Sequence, residues 1–159
     1  MTGTSDTTFS PDLTTSRSMI ATILWRMAGS PVVNYAMDFA DVPADQWYAE
    51  AVRWASSEGI VGGYGNGSFG TGDPITREQF AVMLYRFAQK QGYDVSVGEN
   101  TNILSYTDVS SVSEYAIPAM QWAVGSGVIT GMGDTLVPQG ETTRAQAAMM
   151  LMRFSEQHA

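Results

Sequence analysis

Three stretches of this chain carry one amphipathic pattern. Laid over each other, Thr15–Gly29, Ile75–Gln89 and Thr142–Glu156 superpose Arg17 on Arg77 and Arg144, and Arg26 on Arg86 and Arg153. Between the arginines, Ile20/Ile23/Leu24/Met27, Phe80/Met83/Leu84/Phe87 and Ala147/Met150/Leu151/Phe154 keep the i, i+3, i+4, i+7 spacing of a helix with one buried face. The copies recur every sixty to seventy residues or so, longer than most solenoid repeats, so each unit should be a small motif.

A second apolar pattern precedes two of the copies. Trp47, Ala51, Trp54 and Ala55 predict a helix with Asp45 as its N-cap, running to about Glu58 and stopped by Gly59. Gly62–Pro74 cannot be helical and reads as a turn-rich loop anchored by Phe69. Thr76-Arg77-Glu78-Gln79 then forms a capping box, with Thr76 and Gln79 as its two members. The third unit repeats the plan: Tyr115 stands for Trp47, Trp122 for Trp54, Leu136 for Phe69, and Thr143-Arg144-Ala145-Gln146 rebuilds the box. Pro118 falls in the first turn of its helix, where a missing N–H is tolerated.

The first unit has only its second half, residues 1–29; complete units are 39–90 and 106–156, together one all-α domain of helix–loop–helix repeats. Segments 30–38 and 91–105 are linkers, the second being the expected mobile stretch. The missing helix is expected to leave a slot, and Ile20, Ile23, Leu24 and Met27 then need cover from the other units.

Composition narrows the chemistry. At 159 residues and 44% hydrophobic content the chain can bury a core, and no apolar run is long enough to span a bilayer. Met1–Ser5 is polar and lacks the apolar stretch of a secretory signal. Cysteine is absent and the one histidine, His158, lies where fraying is expected, which removes thiol chemistry, multi-His metal sites and His-dependent triads. A formal charge of −8 without a basic cluster argues against nucleic acid. Gly65–Asp73 has too few carboxylates for a calcium loop and no Gly-Lys-Ser/Thr for a phosphate loop.

The ordered repetition of Phe39/Asp41/Val42, Trp47, Gly59-Ile60, Gly62–Phe69 and Thr76–Gln79, and of Tyr106/Asp108/Val109, Tyr115, Gly127-Val128, Gly131–Leu136 and Thr143–Gln146, resembles the S-layer homology domain. The resemblance implies three repeats in a pseudo-threefold bundle. It also implies a non-catalytic module at the bacterial cell surface, anchoring an exported protein by binding secondary cell-wall polysaccharide, often pyruvylated, in grooves between repeats. No cofactor, metal or membrane is implied. Gln79 and Gln146 stand where the family has Glu, which keeps the cap and removes a carboxylate.

By position the resemblance assigns ligand contact to Arg77 and Arg144, and to Arg17 in the incomplete unit. A guanidinium at a helix start offers a bidentate fork beside unpaired amides, which suits a carboxylate. The structural alternative pairs each arginine with an acid such as Glu50 or Asp41. Trp47 and Tyr115 either stack on a sugar or begin the buried stripe. Asp41 and Asp108 either cap local turns or accept ligand hydroxyls. Arg26, Arg86 and Arg153, near helix ends, are assigned to structure. Two other classes compete with the anchor: an assembly module whose incomplete repeat is completed by a partner helix or a second copy, and a glycan hydrolase, for which no suitably spaced acid pair stands out.

Overall fold

Three of the helices start where Ser or Thr precedes Arg. In the computed structural model, which describes residues 1–159, α1 spans Arg17–Met27, with the Ser16 hydroxyl accepting from the Met19 amide. α3 (Arg77–Lys90) and α5 (Arg144–Gln157) carry full capping boxes at Thr76/Gln79 and Thr143/Gln146. These caps satisfy amides that no helix can satisfy internally. There are five α-helices and no strands; four isolated bridges are the only extended pairing.

The two first helices are shorter than their apolar pattern suggests. α2 is Ala49–Ser57 and has no side-chain cap, so Asp45 is not its N-cap. Residues 43–49 wind instead through successive three-residue turns, Gln46 N–H to Pro43 C=O and Ala49 N–H to Gln46 C=O. Trp47 therefore lies outside the helix and outside its buried stripe, which keeps Ala51, Trp54 and Ala55. α4 is Ile117–Gly125, with Pro118 in its first turn. Gly59 and Gly127 end these segments at φ +69° and +77°.

By contact density the chain forms two units that do not follow the repeat boundaries. One is Ser16–Pro74, in which α2 packs on α1. The slot expected beside α1 is thus filled by the first helix of the next repeat: Ile20 and Leu24 are fully buried, while Met27 stays exposed. The other unit is Met1–Thr15 with Ile75–Ala159, where α4 packs on α3. Its core centres on Phe80, Leu84, Phe87, Met120, Trp122 and Phe154, with Phe87 and Trp122 5.9 and 6.1 Å from the Phe154 ring. Each such side chain stabilises the fold by about 1.5–3 kcal/mol on burial.

Segment 91–105 does not hang free. Ser96–Asn100 forms a 3-10 helix laid against α4, close enough that a Cβ on Gly98 would stand 2.9 Å from the Trp122 amide nitrogen. Nor does His158 fray. Its ring stacks on Tyr93 at 3.9 Å and meets Phe154 edge-on, and burial lowers its pKa.

The first residues of the three aligned copies meet in the second unit. Thr15 N–H donates to Thr142 C=O, Thr142 N–H to Ile75 C=O, and Ile75 N–H to Thr15 C=O, at 2.8, 2.9 and 2.8 Å. This closed ring of three backbone bonds is fully buried. The hydroxyls of Thr15 and Thr142 find no partner there, whereas Ile75 is apolar at the same register. An unsatisfied buried hydroxyl costs about 1–3 kcal/mol. Thr142→Val, isosteric and without the hydroxyl, should therefore raise stability by about 1 kcal/mol or more, read from chemical denaturation. A loss of stability would show that the hydroxyl has a partner.

Candidate functional site

Arg17, Arg77 and Arg144 sit at the first position of their helices, and all three are buried. None bonds an acid. Arg17 Nε donates to Phe69 C=O at 3.0 Å and its Nη2 to Gly62 C=O at 2.9 Å. Arg77 repeats this with Leu136 and Thr130, at 2.9 and 3.3 Å, and Arg144 with Phe9 and Thr2, at 2.9 and 2.5 Å. Each arginine thus holds the loop of the following repeat, and the third holds the loop of the first. The guanidinium also stacks over the loop aromatic where one exists, Arg17 4.8 Å from the Phe69 ring and Arg144 4.8 Å from Phe9. Burial lowers the Arg77 pKa, opposed by the charge of Asp108; a guanidinium remains protonated regardless.

Asp41 and Asp108 hold the same loops from the other side. The Asp41 carboxylate accepts the amides of Phe69, Gly70 and Thr71 at 2.7–3.1 Å, and Asp108 those of Leu136 and Val137 at 2.8 Å. The capped amides lie 28–30 residues away in sequence rather than in the local turn. Gly70 and Val137 adopt positive φ, +82° and +51°, which turns successive N–H groups toward one anion. Burial raises both carboxyl pKa values, but the amide bonds outweigh it and the net shift is downward. Phe39 and Tyr106, two residues before these acids, lie so close to the loops that a Cβ on Gly63 or Gly131 would fall 2.5 Å from their rings.

Two features face solvent on this scaffold. Trp47 and Tyr115 are 58% and 56% exposed, so the buried-stripe alternative does not describe them. A cleft of about 170 Å³ is lined by Arg77, Thr130, Met132, Gln146, Met149 and Arg153, among others. It gathers two guanidinium groups, an amide, a hydroxyl and methionine side chains. Arg153, assigned to structure by its place near a helix end, also reaches 3.5 Å from the Thr130 hydroxyl. Sequence reasoning missed Glu78 as well. Its buried carboxylate accepts from the Ser113 amide at 2.9 Å, from the Ser113 hydroxyl at 2.6 Å and from Gln139 at 2.6 Å, tying α3 to the turn before α4.

The sequence profile of the S-layer homology domain matches residues 38–81 and 105–148, more than half of the chain, and the chain belongs to that family. Domains of this family are cell-wall-associated, extracellular anchoring domains rather than catalytic ones. The chain is 33% identical to an endoglucanase of Bacillus sp. (strain KSM-635) over 95% of its own length and 16% of that protein. It is 27% identical to a cellulosome-anchoring protein of Acetivibrio thermocellus, over 93% of its length and 33% of that protein. A surface layer protein of Brevibacillus choshinensis is 32% identical over 78% of the chain and 11% of the relative. The chain therefore spans at most about a third of the curated relatives it matches.

The clasps give a pH prediction. A carboxylate whose folded pKa is depressed contributes stability above its unfolded pKa and loses it as pH falls through the folded value. With both clasps shifted below 3.8, stability should begin to fall near pH 4 and continue falling below it. Asp108→Asn should cost about 1.5–3 kcal/mol at pH 7 and shrink that acid-dependent loss, as measured by urea titrations across pH. An unchanged acid slope in the variant would contradict the clasp.

Proposed function

We propose that this domain anchors a larger exported protein to the bacterial wall by binding secondary cell-wall polysaccharide. The observation that carries the reading is the cleft that concentrates Arg77 and Arg153 in a chain of net charge −8. Screening over ~8–10 Å lets such a local cation pair outweigh distant acids. The two carbonyl bonds of Arg77 use two of its five donors, which leaves an edge for a ligand carboxylate such as a pyruvyl ketal. Arg144 and Arg17 hold equivalent places in the other repeats. Trp47 and Tyr115 supply exposed aromatic faces for sugar rings, and Asp41 and Asp108 set the shape of the loops beside them. In this reading the three repeats share a pseudo-threefold arrangement, which the closed ring at Thr15, Ile75 and Thr142 supports.

The test is sedimentation of the purified chain with cell-wall sacculi, before and after secondary polysaccharide is stripped. Stripping should abolish binding. Arg153→Gln, and Trp47→Ala combined with Tyr115→Ala, should each weaken binding at least about tenfold with little change in Tm, because these side chains are not buried. Arg77→Ala should lose both binding and stability. Full binding to stripped sacculi, or wild-type affinity in all three variants, would overturn the reading.

A further inference from the structure

Arg17 and Arg77 make the same two carbonyl bonds, but what stands over them differs. Besides the Phe69 ring, Arg17 has the Tyr64 ring 4.9 Å from its guanidinium carbon. The Tyr64 hydroxyl donates to Asp73 Oδ2 at 2.8 Å, which fixes the far end of the ring. Gly70 makes room for it: a Cβ there would fall 2.5 Å from the ring and from the hydroxyl oxygen. Tyrosine, aspartate and glycine thus form one latch around a guanidinium, all within Ser16–Pro74. Burial and the bond to Asp73 both raise the Tyr64 pKa, which keeps the hydroxyl protonated as the donor.

The third repeat has none of the three members. Met132 stands at the place of Tyr64: Tyr64 N–H donates to Ser68 C=O and Met132 N–H to Thr135 C=O, at 2.9 and 2.8 Å. Val137 stands at the place of Gly70, sharing its positive φ and its aspartate clasp. Gly140 stands at the place of Asp73, since the Asp73 and Gly140 carbonyls accept the Arg17 and Arg77 amides. Arg77 accordingly lines a cleft with Met132 on its wall, a flexible, uncharged side chain that yields to a ligand. An anion approaching Arg17 would instead meet a fixed ring on the guanidinium and the Asp73 carboxylate bonded to that ring.

We infer that Tyr64, latched to Asp73, is the residue that withdraws Arg17 from ligand binding. The two arginines, equivalent in position, are then unequal as anion sites: Arg77 takes a sugar carboxylate, and Arg17 only holds its loop. The inference rests on the wall-polysaccharide reading of the cleft and names which arginine serves it.

The probe is a methyl glycoside carrying a pyruvyl ketal, titrated into the isotope-labelled full chain and followed by NMR; the uncharged parent glycoside is the control. The Arg17 and Arg77 Nε–H signals, held by carbonyl bonds, are assigned from Arg17→Lys and Arg77→Lys. In the wild-type chain the Arg77 signal should shift saturably and the Arg17 signal should not move. Tyr64→Met, which places the third repeat's residue at the loop tip, should give Arg17 its own saturable shift. Asp73→Ala, which frees the ring and removes the charge, should do the same, and the Arg77 midpoint should be unchanged in both variants. Tyr64 is half-exposed, so its replacement leaves the core intact. A side chain that only braced the loop would not create a new response on removal. An Arg17 shift in the wild type at the Arg77 midpoint would overturn the inference, as would a silent Arg17 in both variants beside a responding Arg77. Silence at Arg77 in the wild type would overturn the cleft reading, and the inference with it.

Discussion

The fold depends on donors sent from the start of each long helix into the loop of the next repeat. The arginine side chain is one part of this exchange and the helix amide is the other: Arg17 N–H reaches Asp73 C=O, Arg77 N–H reaches Gly140 C=O, and Arg144 N–H reaches Leu13 C=O, at 3.1, 2.9 and 2.7 Å. Helix N-termini always carry such orphan amides, and most proteins satisfy them locally or with water. Here they are used between repeats. The loops of the second and third repeats carry several glycines and one fully buried apolar anchor each, Phe69 or Leu136, so without the arginine above and the aspartate below they would have little reason to hold one conformation.

That constraint gives the arginines a structural duty alongside the ligand contact proposed for them. A guanidinium that already holds two carbonyls loses little further freedom on meeting an anion, and its position is fixed before the ligand arrives. Asp108 stays ionised beside Arg77 and opposes the lowering of its pKa by burial, so the clasp favours the charged guanidinium at the edge of the cleft. The geometry of the site rests on bonds from buried side chains to backbone rather than on surface ion pairs, which salt would screen. The ion pair of Arg53 with Glu50 lies within α2 and contributes little.

Features written in neighbouring residues were legible in the sequence. The Thr76 and Thr143 boxes, the stops at Gly59 and Gly127, and the Phe69 and Leu136 anchors each follow from a few adjacent side chains. The targets of the arginines were not, because a backbone carbonyl leaves no mark in the sequence. Asp41 and Asp108 read as caps of local turns, whereas the loop amides they accept lie some thirty residues on and cannot be identified from local pattern. The start of α2 was misjudged because Trp47 continues the apolar register while the backbone is still turning. The cover of α1 comes from the first helix of the following repeat, a pairing that periodicity does not reveal.

Amide hydrogen exchange on Arg77→Lys tests most directly whether each helix start holds the loop of the next repeat. Lysine keeps the charge but cannot span two carbonyls with a planar fork. Exchange should accelerate across residues 130–137, the loop of the third repeat, while residues 62–71, in the same repeat as Arg77, keep their protection. Faster exchange confined to 62–71, or none in either loop, would contradict the account.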